Sequence, residues 1–266
     1  MTRWLVRFGY DGSRFAGWAR QPGLRTVEGE LIRGVVRAGL ASSPEEAGIA
    51  VASRTDRGVS ARANALTLST NLPAAALLRS LNGISPELNF SAALPVPREF
   101  RVRRAVRRTY RYFEPPGEHR LERWERAARI FRGTVDVRSF GRGLPAATPT
   151  LRTVESVTVT ETKSGMVVEV RAPSFVWGMV RKIIASLREH DAGRLTLDRL
   201  EAALRGEVRL TLPMAEPEGL VLWEVEYPFP WTLRWNGPNR HQQEWVRSRS
   251  DSLWVQARVL EALRTP

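Results

Sequence analysis

The chain has no cysteine and only three histidines, His119, His190 and His241, spread over 266 residues. The missing cysteine excludes disulfides, thiolate nucleophiles and Cys-ligated zinc, and the scattered histidines leave little for a metal site or a His-based triad. Redox, zinc and papain-like chemistry are therefore not expected. Lysine is nearly absent too, since Lys163 and Lys182 are the only two, and arginine carries the cationic charge. No apolar run approaches the roughly 20 residues of a spanning helix, so no membrane insertion is expected. Met1 leads at once into a strand-like segment with no leader pattern, which makes the cytoplasm the expected compartment. Gly17, Gly23, Gly29 and Gly34 do not form a dinucleotide fingerprint. A Walker loop, an HExxH helix and a nucleophile elbow are missing as well, so nucleotide hydrolysis and dinucleotide redox chemistry lack support.

What the chain does have is apolar surface and positive charge. It is 42% hydrophobic with nine Trp and nine Phe, enough for a real core in one large domain or two small ones. Forty-one basic residues against 28 acidic ones give a formal charge of +13. Such an excess favours a phosphate-rich partner, because neutralising phosphates releases their counterions. Nucleic acid is the first candidate and a membrane surface the weaker one. Arginine suits bidentate phosphate contacts and base stacking, although GC-biased coding would leave the same enrichment.

Strands and helices alternate along the chain. Trp4, Val6, Phe8 and Tyr10 recur with the period of a half-buried strand, and a glycine-rich loop follows from Asp11 to Gly23. Thr26 stands at an N-cap position ahead of Glu28, Glu30 and the apolar face Val27, Leu31, Val35 and Ala38, predicting a helix over 27–40. Strands are expected at 49–53 and 62–69, a helix near 74–81, and an arginine-rich extended segment from Arg98 to Phe113 with Val106, Tyr110 and Tyr112 on one face. The second half predicts helices at 121–132, 175–188 and 197–205, and strands near 152–161, 165–172 and 220–227. Two α/β units joined near residue 104 fit this order. Beyond Tyr227 come Pro228, Pro230, Pro238 and an arginine-rich helix candidate at 250–264.

Three features could carry chemistry. Arg54-Thr55-Asp56-Arg57-Gly58 brackets one carboxylate with two arginines between short strands. It reads either as an activated aspartate or as a turn in which the aspartate bonds its own backbone. Tyr110 and Tyr112 lie in a segment that also holds Arg98, Arg101, Arg103, Arg104, Arg107, Arg108 and Arg111. This reads as a stacking platform for unstacked bases or as core tyrosines on a strand with charged outward positions. Arg181, one turn after Trp177 and beside Lys182, interrupts an apolar helix; an arginine at the edge of such a stripe is usually solvated.

Collinear strings then carry a resemblance. YDGSRFAGWARQP at 10–22, TVEGEL at 26–31, SRTDRGVSA at 53–61, LNGISPELN at 81–89, EFRVRRAVRRTYRYF at 99–113, SFVWGMVRKIIASL at 174–187 and EGLVLWEVEYP at 218–228 resemble the TruA family of tRNA pseudouridine synthases. The resemblance implies that Asp56 is the catalytic aspartate and that Tyr110 stacks on the target uracil. It implies further that Arg181 pairs with Asp56 and that Arg54 helps hold the flipped nucleotide. Arg57, Arg101, Arg103, Arg104 and Lys182 are expected to contact RNA.

The implied fold is α/β (α+β), with two similar sheet-plus-helix domains whose antiparallel sheets join around a basic central cleft. The expected division is 1–103, 104–228 and an extension at 229–266. The implied assembly is a homodimer acting on tRNA, at uridines 38, 39 and 40 of the anticodon arm, without metal or cofactor. Ser53, Ser60, Arg101, Ala19, Asn64 and Ala185 depart from the usual pattern. The alternatives are a non-catalytic RNA-binding dimer of the same fold, or the same reaction at a different RNA position.

Overall fold

A computed structural model describes residues 1–231, 233–234 and 240–262. The first part of the chain builds β1 (Thr2–Tyr10), α1 (Val27–Arg37), α2 (Pro44–Ala47), β2 (Ala50–Val51), β3 (Ser60–Thr70), α3 (Ala74–Asn82) and β4 (Leu88–Pro95). Then follow β5 (Arg107–Glu114), α4 (Leu121–Arg129), β6 (Gly133–Asp136), β7 (Leu151–Val154), β8 (Ser156–Thr162), β9 (Gly165–Ala172), α5 (Met179–Asp191) and α6 (Leu197–Leu204). Last come β10 (Leu220–Glu226), β11 (Leu233–Arg234) and α7 (Arg240–Ala262).

One mixed sheet runs through the described residues in the order β11-β4-β1-β3-β10-β5-β9-β8, with β2 beside β3, while β6 and β7 form a separate pair. Neighbours are antiparallel except β3 and β10, which meet in parallel at the centre. Each half of the chain places its first strand, β1 or β5, between two others, and the buried side chains form a continuous hydrophobic cluster from Trp4 to Val225.

The two faces of the sheet differ. On one, Phe8 packs against Phe90 and Trp18, and Tyr112 and Glu114 receive Arg188 of α5. On the other, Arg7 and Arg62 pair with Glu224, Arg107 with Glu155 and Glu226, and Arg111 and Arg171 with Glu169. Arg62 and Arg111 also lie on the Trp223 ring.

Helix α1 follows its pattern: the Thr26 hydroxyl accepts from the Gly29 amide at 3.2 Å, and Val27, Leu31 and Val35 are buried. It ends at Arg37 rather than 40.

Several expectations are corrected. The extended segment from Arg98 is strand only from Arg107. Residues 97–104 turn instead, with the Phe100 amide donating to Pro97 and the Arg104 amide to Arg101. Val106 therefore lies outside the strand and is 49% exposed, whereas Tyr110 and Tyr112 are buried. The arginines of that segment do not form one platform, because Arg107 and Arg111 sit on the opposite sheet face with their glutamates. Strand β4 was not anticipated: Asn89, Ser91, Ala92 and Ala93 have low strand propensity, and pairing with β1 imposes the conformation. The strand expected at 152–161 splits at Glu155 between the two sheets. Helix α5 begins at Met179 rather than 175, since Gly178 adopts the left-handed conformation at φ +79° and caps it.

The terminal helix begins at Arg240, ten residues earlier than expected, and residues 263–264 of that expectation lie outside the described residues. Its first turns lie on the protein, where the buried Gln242 amide donates to Asn82 Oδ1 and the Leu88 carbonyl, each at 2.8 Å. Arg249 pairs with Asp11 at 3.5 Å and donates to Ser13 at 3.2 Å. From Asp251 to Leu260 every residue is exposed.

Candidate active site

The loop from Ala52 to Val59, between β2 and β3, carries Asp56. Its backbone is fixed from three sides. The Trp18 amide donates to the Thr55 carbonyl at 3.0 Å, the Asn64 amide side chain to the Ser53 carbonyl at 2.8 Å, and the Val59 amide closes a turn on the Asp56 carbonyl at 3.1 Å. The Thr55 hydroxyl is 2.8 Å from the Tyr10 hydroxyl, which is deeply buried with its pKa pushed up by desolvation. Gly12 packs so closely beneath the loop that a Cβ there would lie 2.1 Å from the Val59 carbonyl oxygen. The glycine-rich loop after β1 thus supports the Asp56 turn.

The Asp56 carboxylate turns toward the second half of the chain rather than to its own backbone. The Trp177 indole N–H donates to Oδ1 at 2.7 Å, and Arg181 Nη1 of α5 lies 3.5 Å from Oδ2. Arg181 is itself held, its Nε donating to the Ala215 carbonyl at 2.6 Å. Its side chain is only 13% exposed against 29% for Asp56, so the pair is partly withdrawn from water.

These groups border a cleft of about 1050 Å³. Six arginines line it, Arg54, Arg57, Arg103, Arg108, Arg142 and Arg181, against the two carboxylates of Asp56 and Glu218. Tyr110 of β5 lies in the same cleft, 8% exposed, with its ring edge-on to Phe175 at 5.1 Å. Burial pushes the Tyr110 phenol up to about 12, with the nearby Arg108 guanidinium and Ser53 hydroxyl opposing. Arg108 lies buried beneath, donating to the Ser53 hydroxyl at 3.0 Å and to the carbonyls of Ala52, Arg103 and Pro173. Desolvation lowers its pKa, and those acceptors compensate a charge that has no carboxylate partner among the described residues.

The structure therefore gathers Asp56, Tyr110, Arg181, Arg54, Arg57 and Arg103 in one cleft. Arg101 and Arg104 are exposed in the turn before β5 and do not line it. Lys182 points elsewhere as well, donating to the carbonyls of Ser139 and Gly141 at 3.1 and 2.9 Å. Arg108, Arg142, Phe175 and Trp177 were not singled out as site residues from the sequence. Trp177 gave one signal, an aromatic side chain directly before a glycine at the start of a helix that also carries Arg181.

The atypical residues have structural partners. Ser53 accepts from Arg108, Ser60 Oγ accepts from the Gly12 amide at 3.0 Å, and Asn64 bonds across to Ser53. Ala185 is buried in α5, and Ala19 lines the cleft. Among the described residues no group of three or more His, Asp or Glu could hold a metal ion, and no helix is long and apolar enough to cross a membrane.

A family model described as tRNA pseudouridine synthase matches residues 127–228. A tRNA pseudouridine synthase A of Thermococcus kodakarensis is 40% identical over 225 residues, 84% of this chain and 84% of that protein. That of Thermococcus onnurineus is 36% identical over 227 residues, 85% of each chain. That of Methanosphaerula palustris is 35% identical over 263 residues, 98% of this chain and 92% of that one. The chain belongs to the tRNA pseudouridine synthase A family and is an RNA pseudouridine synthase, an isomerase.

Proposed function

We propose that this enzyme converts uridine to pseudouridine in the anticodon arm of tRNA, at positions 38, 39 or 40, with Asp56 as the catalytic carboxylate. The observation that carries the assignment is the placement of Asp56 in an arginine-lined cleft, held by Trp177 and Arg181 and sharing that cleft with Tyr110. The reaction breaks the bond from N1 of uracil to C1′, turns the base, and forms a bond from C5 to C1′. The proton lost from C5 is balanced by one gained at N1, so the product is an isomer of the substrate.

The target must first leave the stack. Tyr110 offers the ring against which the extruded uracil rests, and the exposed Arg54 and Arg57 supply phosphate contacts that keep the nucleotide out. Asp56 then acts at the ribose as nucleophile or as base, and Arg181 offsets the carboxylate charge where water is partly excluded. The proposed working form is a cytoplasmic homodimer that presents its basic clefts to one tRNA.

The test is incubation of purified enzyme with unmodified tRNA transcripts, followed by chemical mapping of pseudouridine. Product is expected at anticodon-arm uridines. Asp56→Asn is expected to lower turnover by about 10²-fold or more, with tRNA affinity little changed. Near wild-type turnover by that variant would remove Asp56 from the mechanism, and product at other uridines would move the substrate assignment.

A further inference from the structure

The two oxygens of Asp56 are held unequally. Oδ1 takes a direct hydrogen bond from the Trp177 indole at 2.7 Å, whereas Oδ2 has Arg181 at 3.5 Å, an ion-pair separation longer than a good hydrogen bond. A carboxylate turns about its last torsion unless something stops it. Here the indole stops it. An indole N–H only donates and carries no charge, so it orients Oδ1 without neutralising the group.

Trp177 is itself held in place. Its carbonyl accepts from the Arg142 amide at 2.8 Å, and the Arg142 guanidinium lies over its ring at 4.8 Å. The next residue, Gly178, is left-handed at φ +79°, and a Cβ there would sit 3.3 Å from Arg142 Cβ and 3.4 Å from Met214 Cε. Backbone and ring are both constrained, yet the side chain is 53% exposed. Burial gives a tryptophan that exposed only part of its usual apolar gain, so core packing does not account for its placement.

We infer that Trp177 is a positioning residue for Asp56: it immobilises Oδ1 and so turns Oδ2, the oxygen beside Arg181, toward the ribose of the flipped uridine. Arg142 is the clamp that holds the tryptophan. The inference rests on the assignment of Asp56 as the catalytic carboxylate.

Steady-state and single-turnover kinetics on unmodified tRNA transcripts test it with Trp177→Phe, Trp177→His and Asp56→Asn in parallel. Trp177→Phe keeps a ring and loses the donor; misplacing the carboxylate is expected to lower kcat by about 10²-fold, with KM and tRNA affinity within about threefold. Trp177→His restores a ring N–H and is expected to recover at least about tenfold of that loss, which a purely structural role would not produce. Wild-type kcat in Trp177→Phe overturns the inference. So does a rise in KM at unchanged kcat, which would make the ring an RNA contact only. If Asp56→Asn keeps full turnover, the underlying assignment fails; if it is inactive while Trp177→Phe is normal, the positioning role alone fails.

Discussion

At the scale of residues, the site is a set of side chains whose neighbours decide what each can do. Tyr110 is 8% exposed and its phenol is raised to about 12 by burial. It stays protonated at neutral pH and offers a ring face rather than a base. Tyr110→Phe is therefore expected to bind tRNA like the wild type, while Tyr110→Ala loses about 1–3 kcal/mol of base stacking, measured as Kd by filter binding. Equal affinities for the two would remove the stacking role. The raised phenol also adds stability at neutral pH that is lost as pH climbs from the unfolded value of 10.0 through the folded value of about 12. The aspartate between two arginines stood out in the sequence, but by spacing alone the run also read as a self-bonded turn, and the family resemblance carried the choice. The placement of Trp177 beside it was not legible there, because that contact joins residues far apart in the chain: 121 positions separate Trp177 from Asp56.

At the scale of elements, local signals were most reliable where the chain follows its own propensities. Helix α1 shows this: the N-cap, the acidic first turn and the apolar stripe agree, and the helix forms where they predict. Thr26→Ala is expected to cost about 1 kcal/mol through loss of the cap and to lower Tm by about 2–4 °C in a protein of this size. Calorimetry checks the shift, and activity at 25 °C should be retained because the Thr26 hydroxyl bonds the Gly29 amide, whereas Asp56 pairs with Trp177 and Arg181. The opposite case is β4, whose small and polar residues become a strand because β1 offers its unpaired edge. The start of α5 is a third kind of case. An apolar run continues smoothly from Ser174, but Gly178 delays the helix, leaving Phe175 beside Tyr110 and Trp177 beside Asp56.

At the scale of the whole molecule, the charge of +13 is not spread evenly in its effects. On one sheet face, Arg7, Arg62, Arg107, Arg111 and Arg171 are matched to glutamates. In the cleft, Arg54, Arg57, Arg103 and Arg142 have no carboxylate partner among the described residues. Four such cations contacting phosphates predict that tRNA affinity falls by about 10²-fold between 50 and 200 mM salt, read from Kd across a salt series. A flat dependence would show that these arginines do not meet the phosphate backbone.

The amino-acid sequence alone determined the alternation of strands and helices, the Asp56 turn and the expectation of an anionic, nucleic-acid partner, because each is written in local periodicity, turn chemistry or summed charge. The tertiary structure decided which arginines face the cleft and which are consumed by glutamates, and which tryptophan reaches the aspartate. Those choices depend on strand register and on the meeting of β3 and β10 at the centre of the sheet. Arg7 and Glu224 stand 217 positions apart and Trp177 and Asp56 121, and no local pattern encodes such distances.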